Sequence, residues 1–451
     1  MLWPPVASGD GPGRLWGFSL AALVVGALTG VVTGSFRLAL DAVSAVRTVM
    51  IQAATGNPVP GVLATMAVCG LATAAAAALV HRLEPHAEGS GIPRVEAVVE
   101  GRVPPGSPLI LPVKYLGGLL AMGAGLALGR EGPSVQMGGN IGIIVSRIAR
   151  RNRHDLQILV AAGAAAGLAT AFNAPIAGGV FVLEELIKRF DPRTTIATLL
   201  ASGSGFFSAH LLIGGSADVF STAPMADPSL TDAPMILLVG VAAGLLGVAY
   251  NWLVMSSLAM TDRSRMPREV RAGAIGALVG VVAFFAPDLV GGGDLLTQRA
   301  LLFSETWGAV AVILLARIAL GVVSYAAATP GGLFAPMLVV GSHLGLLLGL
   351  IGQQLAPRWT PQPAALALIG MAAFFTATVR APITGIVLAT ELTGVTSQLA
   401  PMLGACALAM LVATILRSEP IYDALTSRAA WAARQNAAEA VTLAHRGDQG
   451  G

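Results

Sequence analysis

The sequence predicts an all-α polytopic membrane protein built from two structurally related halves, expected to be inverted repeats, with interrupted and tilted helices. Three observations carry that prediction: a composition poor in charge, charge-free windows of spanning length, and two motif blocks that recur in order. Of 451 residues, 55% are hydrophobic and 11% charged, against roughly 45–50% and about 25% in soluble proteins. Aromatics reach only 5% while glycine numbers 55, so the apolar content is small and aliphatic, suited to helices that approach closely. The formal charge of +3 arises from 27 basic and 24 acidic residues, and only Lys114 and Lys188 are lysine. No nucleic-acid footprint follows from so small a surplus. Cys69 and Cys406 lie in separate apolar runs, which supports neither a disulfide framework nor a cysteine-ligated metal.

The N-terminal stretch, residues 1–14, is rich in Pro and Gly and lacks the charged region and short apolar core of a cleaved signal, so an inner or plasma membrane is expected. Charge-free windows then run over 15–36, 48–80, 156–183, 194–217, 233–261, 272–287, 318–357, 359–379 and 392–416. Spanning segments avoid charge because one at mid-bilayer costs roughly 2.5–3.5 kcal/mol on insertion scales. Two further windows, 115–129 and 132–146, hold only 15 residues each, short of the ~20 a spanning helix needs. They read as half-helices meeting inside the membrane, where freed backbone groups must be buried in protein or line a polar cavity. The expected organisation is a short segment 1–14, a membrane domain over 15–435, and a tail over 436–451. Within the membrane domain the first half covers about 15–215, the second about 233–416, and a C-terminal helix about 418–435. Basic residues gather in 147–153, 188–193, 262–271 and the tail carrying Arg417, Arg428, Arg434 and Arg446, which places those segments and both termini in the cytoplasm.

The repeat is the most informative feature. ATAFNAPIAGGVFVLEEL (169–186) and TATVRAPITGIVLATEL (376–392) align at an offset of 207, pairing Pro175 with Pro382, Gly178 with Gly385 and Glu184 with Glu391; Gly163 and Gly370 keep the same offset. Upstream, GREGPSVQMGGNIG (129–142) and GLFAPMLVVGSHLG (332–345) align at 203, pairing Gly129 with Gly332, Pro133 with Pro336, Gly138 with Gly341 and Gly142 with Gly345. Repeated halves with paired interrupted helices are the signature of secondary transporters, whose site lies near mid-bilayer where half-helix ends converge. Each helix N-terminus presents unpaired N–H groups and about half a positive charge, so several aimed at one point bind an anion without any lysine.

EGSGIPRVE (88–96) fits that logic: Gly89 and Gly91 flank Ser90, and Pro93 can open the next helix, leaving the serine hydroxyl free to donate. Glu131 sits between uncharged flanks over 115–129 and 133–146, where an ionisable group must be paired, with Arg130 adjacent, or functional. Glu184 and Glu185 close the 156–183 window beside Lys188 and Arg189, and the residues alone make them a solvated helix end. An intramembrane enzyme is disfavoured: there is no HExxH pair and no Gly-x-Ser-Gly, and His210 near Ser204 is the nearest Ser/His grouping. Neither lysine follows a glycine, so there is no phosphate loop and no nucleotide-driven pump on this chain.

With GSGIP (89–93), GREGPSVQMGGNIG (129–142), TAFNAPIAGGVFVLEE (170–185), PGGLFAP (330–336) and EPIYDAL (419–425) in this order, the chain resembles the CLC family of chloride channels and chloride/proton exchangers, in its short bacterial form. The resemblance runs from about residue 15 to 435. It implies that Ser90 and Tyr422 donate hydroxyls to a central chloride completed by the backbone N–H groups of Leu333 and Phe334. It makes Glu131 the gating glutamate, which when ionised occupies an outer anion position near the amides of Arg130 and Gly132. Glu185 matches the internal glutamate that relays protons in exchangers and that channels of the family lack, with Glu184 supporting it. Glu96 and Lys114 match family positions with structural or electrostatic roles. Ser90 fits the chloride-preferring pattern, since nitrate-preferring relatives carry proline there and fluoride exporters depart from Gly-Ser-Gly. A homodimer in membrane lipid is implied, with chloride and protons as transported ions, no cofactor and no metal. The regulatory nucleotide-binding domains of longer members are not expected, and a passive channel on the same fold is the alternative reading.

Overall fold

The computed structural model describes residues 12–214, 220–302 and 305–430, and within them all regular structure is helical. The expected segment 1–14, apart from the start of the first helix, and the tail 436–451 lie outside the described residues, as do 431–435 of the expected C-terminal helix. The first half holds α1 (Pro12–Ala54), α2 (Pro58–Leu83), α3 (Ile92–Val99), α4 (Ile110–Gly123), α5 (Glu131–Ile148), α6 (Arg153–Phe172), α7 (Pro175–Phe181) and α8 (Pro192–Ile213). The second holds α9 (Ala233–Arg263), α10 (Arg268–Phe285), α11 (Asp294–Leu302), α12 (Trp307–Tyr325), α13 (Phe334–Leu355), α14 (Pro363–Val379), α15 (Pro382–Thr393) and α16 (Leu399–Ile415). A last helix, α17, covers 421–430. Among the described residues seven helices (α1, α2, α6, α8, α9, α12 and α13) are long and apolar enough to cross a bilayer, while α4, α14, α15 and α16 are apolar but shorter.

The halves correspond helix for helix, α1 with α9 through to α8 with α16, and they meet about a pseudo-two-fold axis at equivalent residues. In the crossing of α2 with α10, a Cβ on Gly70 would come within 3.0 Å of the Gly273 carbonyl, and these two glycines are 203 positions apart. Gly129 and Gly332 exchange N–H to carbonyl hydrogen bonds, both 2.8 Å. Glu184 at the end of α7 accepts from the first N–H groups of α15, those of Ile383 at 3.0 Å and Thr384 at 2.7 Å. Glu391 of α15 accepts in return from those of α7, Ile176 at 3.0 Å and Ala177 at 2.6 Å. Each helix thus sets its C-terminal end against the N-terminal end of its equivalent, so the two run antiparallel, as inversion requires.

The repeated glycines are the contacts within each half. Gly138 of α5 and Gly163 of α6 lie against each other's carbonyls, and so do their equivalents Gly341 of α13 and Gly370 of α14, where a Cβ would fall 2.5–2.6 Å from the opposing oxygen. Any side chain there would push the helices apart.

Four windows resolve differently from the sequence expectation, among them 48–80, which the break at 55–57 divides between the end of α1 and α2. The first helix continues through Arg37, Asp41 and Arg47 to Ala54 instead of stopping near 36. Arg47 is tolerated because its guanidinium donates to the Met122 and Gly123 carbonyls, at 3.3 and 2.9 Å, at the end of α4. The window 156–183 holds two helices, since Asn173 turns left-handed (φ 56°) and Pro175 opens α7. The window 318–357 breaks likewise over 326–333, between α12 and α13. The expected half-helix break after α4 lies at 124–130, a buried stretch.

Candidate anion site at the converging helix ends

The two breaks bring the N-termini of α5 and α13 together through the Gly129–Gly332 bridge. Glu131 is the first residue of α5 and is 2% exposed. Its Oε2 accepts from the Ala335 N–H of α13 at 3.3 Å, so its carboxyl group folds back between the two helix ends. Gly129 makes room for it, because a Cβ there would collide with that oxygen. Arg130 does not neutralise it as a dedicated pair: its Nε donates to the Ala171 carbonyl at 3.2 Å and its Nη1 lies 3.6 Å from Asp294. The amide that receives the carboxyl is therefore in the opposite half, at the position equivalent to Gly132. Ala335 is not among the residues expected from the sequence, Arg130 and Gly132, although the 203-residue offset points to it.

Ser90 enters from the loop before α3. Gly89 and Gly91 adopt left-handed φ values of 62° and 82°, which glycine takes without strain. The loop is gripped on several sides. Gly89 donates to the Thr329 carbonyl at 3.1 Å and accepts from Gly331 N–H at 3.0 Å. Lys114, fully buried, donates to the carbonyls of Ala87 at 3.1 Å and Gly89 at 2.6 Å. Its two bonds tie the loop to α4. The Ser90 side chain is left buried with no protein partner for its hydroxyl among the described residues.

Tyr422, on α17, is also fully buried with an unpartnered hydroxyl. Its ring stands edge-on to Phe181 at 6.4 Å, and Phe181 packs on Phe334 at 5.6 Å. Tyr422 is thus linked through Phe181 to the start of α13, whose N-cap is Leu333 and first residue Phe334, and the Ser90 loop is tied to the stretch just before it through Gly89 and Gly331. A buried hydroxyl without a partner costs free energy unless a ligand or water satisfies it. The available chemistry is donors, O–H and helix-terminal N–H, without a metal-binding cluster among the described residues.

Glu185 corrects the solvated-end reading. A π turn over Val182–Leu186 follows α7, and such turns re-aim side chains at functional positions. It sends neighbouring glutamates to different places: Glu184 caps α15, whereas Glu185 is 4% exposed with an unpartnered Oε1. Beyond it lies a network that the sequence did not foretell, in which Lys188 bonds Glu96 at 3.2 Å and Asp423 at 3.0 Å.

The family model described as voltage gated chloride channel matches residues 69–414. The chain is 35% identical over 417 residues to the H(+)/Cl(-) exchange transporter ClcA of Vibrio parahaemolyticus, covering 91% of this chain and 89% of that protein. Its identity to the protein of the same name from Vibrio cholerae is 37% over 416 residues, covering 90% and 88%. In fold it is similar to a slow cyanobacterial Cl-/H+ antiporter, with a TM-score of 0.87, 32% identity, and coverage of 91% of this chain and 97% of that one. The pseudo-symmetric helices, the paired breaks and these matches over nine-tenths of the sequence agree: the chain belongs to the CLC family of voltage gated chloride channels and their exchanger relatives.

Proposed function

We propose that this protein is a secondary transporter that exchanges chloride for protons, with the Glu131 carboxylate and chloride competing for one place at the N-termini of α5 and α13. The observation that carries the reading is the Glu131 carboxyl group seated on the Ala335 amide. An ionised side chain there uses the same donors and the same helix-end potential that a chloride would use. Protonation removes the charge that holds it, so a proton on Glu131 and an anion on the helix ends favour one another. The Ser90 and Tyr422 hydroxyls, with the N–H groups of Leu333 and Phe334, serve the central chloride. Arg130 and Gly132 frame the outer position. Glu185 passes the proton to the face where the basic segments gather, and Glu184 supports it by fixing the π turn against α15.

That face is the cytoplasmic one by the positive-inside rule. Both described ends of the chain are tied to it: Arg151 donates to the Gly17 carbonyl at 2.6 Å, and Arg428 bonds Asp262 at 2.6–2.9 Å. The protein resides in the inner membrane as a homodimer, each copy with its own pathway. Outward apolar side chains on α8 and α16, such as Leu211 and Leu403 at 70% and 61% exposure, supply a surface for lipid or a second copy. The exchange needs no cofactor.

The test uses the purified protein in chloride-loaded liposomes. A chloride gradient alone should drive protons uphill, and Glu131→Gln and Glu185→Gln should each abolish proton movement while chloride still passes. Chloride flux without protons in the wild type would instead make the protein a channel.

A further inference from the structure

Lys188 joins three separate elements at the basic face, and each carries one of the groups assigned above. Its ammonium bonds Glu96 Oε1 at 3.2 Å and Asp423 Oδ1 at 3.0 Å. Glu96 lies one turn into α3, the helix opened by the Ser90 loop. Asp423 follows Tyr422 directly on α17. Lys188 itself stands three residues beyond Glu185, and its left-handed backbone (φ 56°) brings the chain back at the end of the π turn. There Ile187 N–H donates to the Val182 carbonyl at 2.9 Å and Arg189 N–H to the Leu183 carbonyl at 3.1 Å. A non-glycine residue in that conformation stores strain that the surrounding contacts must outweigh.

The network has a buried arm and an open arm. Glu96 is 1% exposed and also receives Arg102 at 3.4 Å and the Thr426 hydroxyl of α17 at 3.3 Å. The Lys188–Asp423 arm is different, with side chains 44% and 38% exposed. A buried carboxylate stripped of its cation is strongly penalised, whereas a half-exposed ion pair opens cheaply. The weak arm is therefore the one between Lys188 and α17. On its inner side α17 carries the buried Tyr422 hydroxyl.

Resting on the exchange reading, we propose that Lys188 is a positioning residue. It clasps α17 against α3, keeps the Tyr422 hydroxyl over the central anion place, and opens that place toward the basic face when it releases Asp423. Lys188 stays on Glu96 throughout, so the Tyr422 end of α17 shifts about its ties at Thr426 and Arg428 while the Ser90 loop does not move.

The test compares chloride flux and the number of protons moved per chloride in liposomes. Asp423→Asn keeps the shape and the Lys188–Glu96 bond but removes the charge of the weak arm. Loss of one half-exposed pair should raise chloride flux about two- to fivefold and lower the protons carried per chloride, because α17 opens without waiting for the proton step. Lys188→Gln should do the same more strongly, and Lys188→Arg should restore both values. Unchanged flux and ratio in Asp423→Asn would overturn the clasp, as would a loss of flux at an unchanged ratio, which is what a merely structural bond gives. Should Lys188→Gln fail to elute from gel filtration as the wild type does, Asp423→Asn decides alone. A wild type that moves no protons would sink the exchange reading, yet a flux rise in Asp423→Asn would still identify the clasp.

Discussion

The first half of the molecule holds three of the four side chains proposed for transport, Ser90, Glu131 and Glu185, and the second half answers them mainly with backbone, although the two share one scaffold. Lys114 of α4 and Arg317 of α12 are 203 positions apart, and each is a fully buried cation that grips the loop before a short helix. Lys114 holds the carbonyls of Ala87 and Gly89, and Arg317 those of Leu289, Gly291 and Gly292, all three at 2.9 Å. Both loops contain two left-handed glycines, 89 and 91 in one, 291 and 293 in the other. Between them, however, stands Ser90 in the first half and Gly292 in the second. Glu131 answers in the same way to Phe334, and Glu185 to Leu392. A duplicated frame thus positions two sets of helix ends; Ser90, Glu131 and Glu185 stand in the first half, while the second half answers with Gly292, Phe334 and Leu392, and the Tyr422 hydroxyl comes from the last helix. On the proposed reading an anion at these ends meets N–H donors from both halves, whereas the two proton carriers, Glu131 and Glu185, stand in the first.

The largest effects are expected where the frame itself is cut. Arg317→Met leaves three carbonyls without their donor, whereas Lys114→Met leaves only that of Ala87, since the Gly89 carbonyl keeps the Gly331 N–H, at about 1–3 kcal/mol for each buried group, partly offset because a buried charge is also removed. Thermal unfolding in detergent should therefore show both variants destabilised, Arg317→Met more. Only Lys114→Met should also weaken chloride binding, since only its loop carries a hydroxyl. Equal loss of chloride affinity in both variants would break the division of labour between halves.

A smaller effect separates the loops themselves. Ser90→Ala removes one hydrogen bond to an anion, worth about 1.5–3 kcal/mol, so chloride affinity measured by titration calorimetry should fall roughly ten- to hundredfold. Gly292→Ser makes the reciprocal change. A Cβ at Gly292 would have no neighbour nearer than the Leu128 carbonyl at 3.9 Å, so the serine should be accepted with chloride affinity and stability unchanged. A gain of affinity in Gly292→Ser would show that the second loop also faces the anion.

Much of this arrangement is legible in the sequence, and the exceptions share a physical cause. The offsets of 203 and 207 anticipated the helix correspondence, because close helix crossings accept only glycine and helix starts favour proline. Glu131 stood out as a charge inside an apolar stretch. Ala335 did not, since an N–H group has no side chain to announce it. Glu185 was concealed by its neighbours: beside Glu184, Lys188 and Arg189 it reads as a wet helix end, and only the π turn separates the two glutamates. Arg37, Asp41 and Arg47 concealed the length of α1, because the window rule assumes lipid around a charge where Arg47 has the carbonyls of α4.

The finest comparison lies at the α7–α15 contact, where the ties across the axis are nearly but not fully equivalent. Glu391 accepts two N–H groups, whereas Glu184 accepts two and also the Thr384 hydroxyl at 2.7 Å. A carboxylate on a helix N-terminus contributes about 0.3–1 kcal/mol, rising to ~2 when partly buried. Glu184→Gln and Glu391→Gln should each lower stability within that range, with Glu184→Gln the costlier because it also weakens the hydroxyl bond. Thr384→Ala removes the extra donor, so in that background the two substitutions should cost the same. Glu391→Gln should leave the protons moved per chloride unchanged, and Glu184→Gln should lower them only as far as it loosens the π turn that carries Glu185. If Glu184→Gln uncouples transport while Glu391→Gln does not, then Glu184 acts on the proton itself and the symmetry of this contact is structural only. If both leave coupling intact, the tie exists to hold two antiparallel helices together, and the proton chemistry begins one residue further on.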